Sequence, residues 1–392
     1  MTTPRALSGA AGLVLGLSLL ALSARAAVES TPAATPAATP AAAPAATAAM
    51  DHSGHDMSQM DRGRDAEGRS LYGMKHKMDP AMTRELREKV ALYQKYSDAE
   101  IAMSMDMMGP EYAWYISPPD VKGSQGILIL MHGFREQGDK IFKDQVQSIG
   151  NIFPTSMGVG MAMMTAEHIQ VGLDDLKAAG AKEIVVIPVT SSGTNELYRQ
   201  WLYIFGQRET AEFASVPRVK TDAKLHFVAP PGENPLVAEI LLDHAVEMSK
   251  DPGKEVVIIA GHGPSSAADN AEELRVLAGL AKIVKQDGGF ADVRGITLQD
   301  DAPPEVRAAN VQKLREVVEA ATNKGQRVLV VTNLIGARTI QAKLRSDLKG
   351  LSYEFNPKGL VNHPNFMKWM GESVREEFEK SAAVSKARPA GS

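Results

Sequence analysis

Two stretches decide the fold class: Gly126-Ile127-Leu128-Ile129-Leu130-Met131-His132-Gly133 and Glu255-Val256-Val257-Ile258-Ile259-Ala260-Gly261-His262-Gly263. A strand covered on one face alternates apolar and polar residues, whereas these runs are apolar at consecutive positions. That pattern fits strands of a parallel sheet buried on both faces. Each run ends in His-Gly, with the glycine permitting a sharp backbone turn directly after an imidazole.

Working outward, strands and helices alternate on both sides of these anchors. After the first run the pattern predicts helix 139–150, strand 157–164, helix 166–179, strand 183–189, helix 195–206, strand 224–228 and helix 235–249. The second run, strand 255–260, is followed by helix 268–286, strand 293–298, helix 305–322, strand 327–331, helix 337–347, strand 351–355 and helix 364–380. Alternation of this kind calls for parallel sheets flanked by helices. A second pair of matched segments, Ala229-Pro230-Pro231-Gly232-Glu233-Asn234-Pro235 and Asn356 to Pro364, precedes the last helix of each set. The expectation is therefore an α/β protein of two homologous halves, 120–250 and 251–380, each built on a four-stranded, mainly parallel sheet.

The first residues read as an export signal. Arg5 precedes the apolar run Leu13 to Leu22, and Ala24-Arg25-Ala26 has the small-x-small form of a cleavage site. Residues 1–26 are expected to be removed, leaving no integral membrane segment and a periplasmic or secreted protein. The alternative is an uncleaved anchor. Residues 27–70 read as a disordered linker, Ala/Pro-rich at first and then Met/His-rich from Met50 to Asp61. His52, His55 and Met57 there offer imidazole and thioether donors that suit copper, the alternative being a polar linker. Residues 71–119 read as a helical extension in which Ser97 and Glu100 form a capping box and the methionines at 103, 105, 107 and 108 fill packing space. Residues 381–392 read as a disordered tail. The chain has no cysteine, which excludes thiolate catalysis, thiolate metal sites and disulfides. A net charge of −4 and an aromatic content of 5% argue against nucleic acid as a partner.

In open parallel sheets ligands bind outside the carboxyl ends of the strands, where His132 and His262 both fall. Either imidazole can ligate metal or accept a proton near neutral pH; the alternative for each is a hydrogen bond that anchors its own loop. The His-Gly ending with Arg135 after it, the stretch Ala178 to Val189 and the Pro-Pro-Gly-Glu-Asn-Pro run resemble the class II tetrapyrrole chelatases of the sirohydrochlorin cobaltochelatase type, over residues 124–378. The resemblance implies a lyase that inserts a divalent ion, Co²⁺ or else Ni²⁺ or Fe²⁺, into a tetrapyrrole. In that family the first His and a second His after the third strand bind the metal, assisted by a carboxylate. Here the second His is replaced in Gly193-Thr194-Asn195, and Asn333 to Arg338 in the other half lacks one too. Three outcomes stay open: His132 and His262 act together, Glu167 and His168 substitute, or turnover is lost. The resemblance thus implies His132, His262 and Glu167 as catalytic groups and His132, His262 and His168 as metal ligands. Arg135 and Arg199, with Lys140 and Arg338 behind them, are the cations available to tetrapyrrole carboxylates.

Two other classes compete. A metal-binding or metal-delivery protein on a chelatase fold would bind ions without turnover. An α/β-hydrolase would use the His-Gly segment for an oxyanion, but it also needs Gly-x-Ser-x-Gly, and Gly123-Ser124-Gln125-Gly126 has the wrong spacing. No phosphate-cradling glycine loop occurs.

Overall fold

The computed structural model describes residues 64–71, 79–336 and 339–387. The expected signal segment, His52, His55 and Met57 of the linker, and Arg338 lie outside them; the last linker residues, 64–70, are ordered instead, pairing at Arg64 and Ser70 and leading into a strand. Strand β1 (Arg69–Leu71) is followed by helix α1 (Pro80–Lys89), a 3₁₀ turn, helix α2 (Asp98–Met108) and strand β2 (Tyr112–Tyr115). Asp79 caps α1, and the Ser97–Glu100 capping box opens α2 as its sequence predicts. The segment is not wholly helical, however. Tyr112-Ala113-Trp114-Tyr115 is rich in residues that favour strands, and it pairs antiparallel with the edge of the first sheet.

The first half then runs β3 (Gln125–Met131), α3 (Arg135–Gly150), β4 (Thr155–Val159), α4 (Glu167–Ala178), β5 (Glu183–Pro188), α5 (Glu196–Ile204), β6 (Lys224–Phe227) and α6 (Pro235–Val246). The second runs β7 (Glu255–Gly261), α7 (Ala267–Gly288), β8 (Asp292–Thr297), α8 (Pro304–Thr322), β9 (Arg327–Thr332), α9 (Thr339–Asp347), β10 (Glu354–Phe355) and α10 (Pro364–Ala387). The α/β class holds. β4 ends at Val159 rather than continuing to Met164, because Gly160 and Ala162 adopt positive φ angles of 149° and 51° that break the ladder. Helix α10 continues past Lys380 to Ala387, so residues 381–387 are helical rather than part of a tail.

The first sheet has six strands, not four, in the order β1-β2-β4-β3-β5-β6; the second has four, β10-β9-β7-β8. The pairings of β3, β4, β5 and β6, and all those of the second sheet, are parallel. Numbered within its half, each set of four runs second-first-third-fourth. The first strand is thus central in both, which is why β3 and β7 are apolar after their first residue. Ile127, Ile129 and Met131 of β3 share one core with Val257 and Ile259 of β7, while Leu128 and Leu130 face a second core with α4, α5 and the α1–α2 pair. Each such side chain contributes about 1.5–3 kcal/mol by leaving water. Ile129→Ala would cost about 2–5 kcal/mol through the cavity it leaves.

The last helix of each half crosses to the other: α6 packs on α7 and β9, and α10 packs on α3 and β5. The two sheets are thereby interlocked, and their strand ends are held in fixed relation. Among the described residues no helix is long and apolar enough to cross a membrane.

Candidate metal centre

His262 follows the last residue of β7, and Gly263 turns the chain at φ 75°. A Cβ at Gly263 would lie 2.7 Å from the Cβ of Thr297, so this turn closely fits the end of β8. The His262 Nδ1 atom lies 3.0 Å from the Gly263 carbonyl oxygen. With the proton on Nδ1 donated to that carbonyl, Nε2 presents its lone pair outward, the arrangement that orients a metal-ligating imidazole. Nε2 is 3.5 Å from Asp301 Oδ2.

The loop after β8 supplies the carboxylates. Gln299 adopts a φ of 49° and donates from its side-chain amide to the Pro264 carbonyl at 3.0 Å, tying this loop to the His262 turn. Asp300 and Asp301 follow. One ligand atom from each of His262, Asp300 and Asp301 lies within 4.8 Å of the others. Asp300 is buried and accepts from Arg307 Nε at 2.7 Å and Lys343 Nζ at 2.6 Å. Burial alone would raise its pKa, but these two cations outweigh that and hold it below the usual carboxylate range. Asp301 is exposed, its side chain retaining 57% of its accessible surface. Burial disfavours the His262 cation, yet the Asp301 charge, the Gly263 carbonyl and the charges of Asp300 and Glu196 together raise its pKa above the ordinary value. One imidazole nitrogen with carboxylate oxygens is a donor set for first-row divalent ions.

His132 occupies the matching place in the first half. It follows β3, with Gly133 at φ 90° and its ring edge-on to Phe134 at 5.3 Å. Phe134 in turn lies over Gly336 in the loop after β9, where a Cβ would come within 2.5 Å of the ring. The reciprocal contact joins the loop after β5 to the start of α7. Ser265 N donates to Glu196 Oε1 at 2.7 Å, Thr194 Oγ1 donates to buried Glu273 at 2.8 Å, and Ser192 Oγ also donates to Glu273. First-strand and third-strand loops of opposite halves thus hold each other.

The remaining sequence expectations fall out differently. Among the described residues the grouping of His, Asp and Glu ligand atoms around His262 includes neither His132 nor His168. His168 is 1% exposed and its Nδ1 sits 3.1 Å from buried Glu111, too poorly aligned for a hydrogen bond. An ion arriving from solvent does not reach it as a ligand, because its side chain is buried in the first turn of α4. Glu167 opens α4 beside Thr165, whose hydroxyl accepts from its backbone N–H at 3.2 Å. Arg199 is committed to Glu212 at 2.6 Å and Asp269 of α7 at 3.1 Å, so it ties the halves rather than facing a substrate carboxylate. Lys140 pairs on the surface with Glu67 and Glu136. Arg135 is exposed at the start of α3, with a φ of 65°. Asn195 caps α5, accepting from the Leu197 and Tyr198 amides at 3.0 and 3.4 Å, as helix-capping chemistry predicts. Asp300 and Asp301 were missed. The available signal was a pair of acids one residue after the expected strand 293–298, at the carboxyl end where ligands bind.

No family model and no curated protein matches this chain. Among solved structures it is similar to SirB from Bacillus subtilis with Fe³⁺, at 15% identity over 68% of this chain and 98% of that one, with a TM-score of 0.49. It is also similar to DR2241 from Deinococcus radiodurans, a multi-domain protein with structural similarity to chelatases and two additional domains. There the identity is 15% over 65% of this chain and 54% of that one, with a TM-score of 0.41.

Proposed function

We propose that the protein binds a divalent transition-metal ion at His262, Asp300 and Asp301 and inserts it into a tetrapyrrole. The observation that carries this reading is the convergence of one imidazole and two carboxylates at the carboxyl end of a central parallel strand. Insertion displaces two pyrrole protons, so the site needs both a ligand and a proton acceptor. His262 and exposed Asp301 are placed to share those tasks. Only neutral imidazole ligates, so with its pKa raised, metal loading weakens as pH falls through a point above the ordinary histidine value. Co²⁺ follows from the sequence resemblance, with Ni²⁺ and Fe²⁺ as the alternatives. The signal-like residues 1–26 support a periplasmic or secreted location.

The test is to mix the full chain anaerobically with sirohydrochlorin and Co²⁺, Ni²⁺ or Fe²⁺ and follow macrocycle absorbance against the uncatalysed rate. Acceleration that is lost in Asp301→Asn supports insertion at this site. Metal binding at equilibrium without acceleration would instead establish a metal-binding or delivery protein. The capping role of Asn195 favours that second reading, since it removes the expected partner ligand after the third strand.

A further inference from the structure

Asp300 carries its own cations before any ion arrives. Arg307 Nε of α8 donates to its Oδ1 at 2.7 Å, and Lys343 Nζ of α9 donates to its Oδ2 at 2.6 Å. A buried carboxylate left without a partner is costly, so these cations let the empty site keep its charge. An ion that takes Asp300 through either oxygen therefore meets an N–H group already bonded there. It also meets two nearby positive charges, which oppose it. One cation has to give way.

The two are not equally free to do so. Arg307 is bound at its other end as well: Nη1 and Nη2 donate to the two carboxylate oxygens of Asp347 at 3.3 and 2.8 Å, and the side chain is 22% exposed. Among the described residues Lys343 has Asp300 as its one ion-pair partner, and its side chain is 45% exposed. An ammonium on a flexible four-carbon stem can swing into water, where it is strongly hydrated, and break no other ion pair. Helix α9 stays seated when it does, because Leu344, Leu348 and half-buried Ile340 pack into the core with β7, β9 and α8.

We propose that Lys343 is a displaceable internal counter-ion of the metal site: its ammonium holds the ion's place at Asp300, leaves for solvent when a divalent cation binds, and so limits the affinity of the site. The inference rests on the reading of His262, Asp300 and Asp301 as ligands. It adds a property those ligands alone do not supply. A bound ion is opposed by a charge that returns when the ion leaves, which suits an ion that is passed on rather than retained.

The experiment uses the full chain with His52 and His55 changed to Gln, so that those imidazoles do not contribute. Co²⁺ affinity is measured by isothermal titration, and the thermal midpoint with and without Co²⁺. Lys343→Met should strengthen Co²⁺ binding about 10-fold, whereas a lysine that merely positions a ligand would weaken it on removal. Lys343→Arg keeps the charge and should not show the gain. In an Asp300→Asn background the gain from Lys343→Met should vanish, because its cause is competition for that carboxylate. The ion-free midpoint of Lys343→Met should fall, and saturating Co²⁺ should raise it by more than it raises the parent's. Co²⁺ bound by the parent, with unchanged or weaker binding in Lys343→Met or a gain that persists in Asp300→Asn, overturns the proposal and leaves the metal site standing. No Co²⁺ bound by the parent overturns both.

Discussion

Each half ends its first strand in His-Gly, and among the described residues the grouping of carboxylates with that imidazole falls in the second half. The backbones agree closely at these points: Gly133 and Gly263 have φ angles of 90° and 75°, and β3 and β7 occupy the same place in their sheets. What differs is the loop after the second strand, which holds Asp300 and Asp301 in one half and Met163 and Met164 in the other. A fold of this kind therefore presents positions, while short loops decide which ions they can hold.

The largest effect expected from breaking this comparison lies in metal affinity. His262→Ala should weaken Co²⁺ binding about 100-fold in isothermal titration, while His132→Ala changes it less than about 3-fold, because among the described residues the grouped carboxylate ligands lie with the former. Equal losses would mean that both imidazoles serve one ion. Next comes the helix that each half sends across. In α6, His244 is 1% exposed, and burial pushes its pKa down from 6.5 to about 4. The native state holds it neutral while the unfolded chain takes up a proton below about 6.5, so stability falls as pH drops from there toward 4. After allowance for residual solvation the loss is at most roughly 2 kcal/mol. Urea melts of the parent and His244→Gln between pH 7 and 4 should converge on acidification; a constant difference would show that this histidine does not titrate on unfolding.

A smaller difference separates the two turns. Gly263→Ala should cost about 1 kcal/mol more than Gly133→Ala, since both are left-handed but only at Gly263 would the Cβ press on another Cβ, at 2.7 Å against 3.1 Å to Val159. Chemical denaturation of the two variants measures the gap, and equal midpoints would show that the β8 end yields. Least of all, Lys140→Ala should leave the thermal midpoint and metal binding unchanged, because its partners Glu67 and Glu136 lie on the surface.

Much of the fold was legible because burial on both faces leaves an unbroken apolar run, and β3, β7 and β9 carry one each. β2 was misread because four residues between a methionine-rich helix and a proline pair give too short a period; pairing with β1 and β4 makes Tyr112–Tyr115 a strand. The place of His132 and His262 at the carboxyl ends of β3 and β7 was legible from those runs. Asp300 and Asp301 were not, because a carboxylate pair looks the same at a solvated loop and at a ligand site. Arg199 was misplaced for the same reason: a sequence shows its charge but not that Glu212 and Asp269 balance it.

By itself the sequence determined the alternation of strands and helices, the two matched halves of that pattern, the absence of thiol chemistry and the helix caps at Ser97 and Asn195. These are local matters of period, residue type and spacing, and each is set by a few neighbouring residues. Tertiary structure alone decided that α6 and α10 cross between the halves, that His168 is sealed against Glu111, and that His262 meets Asp300 and Asp301. Those outcomes join segments far apart in the chain, and their geometry follows from how whole sheets and helices pack.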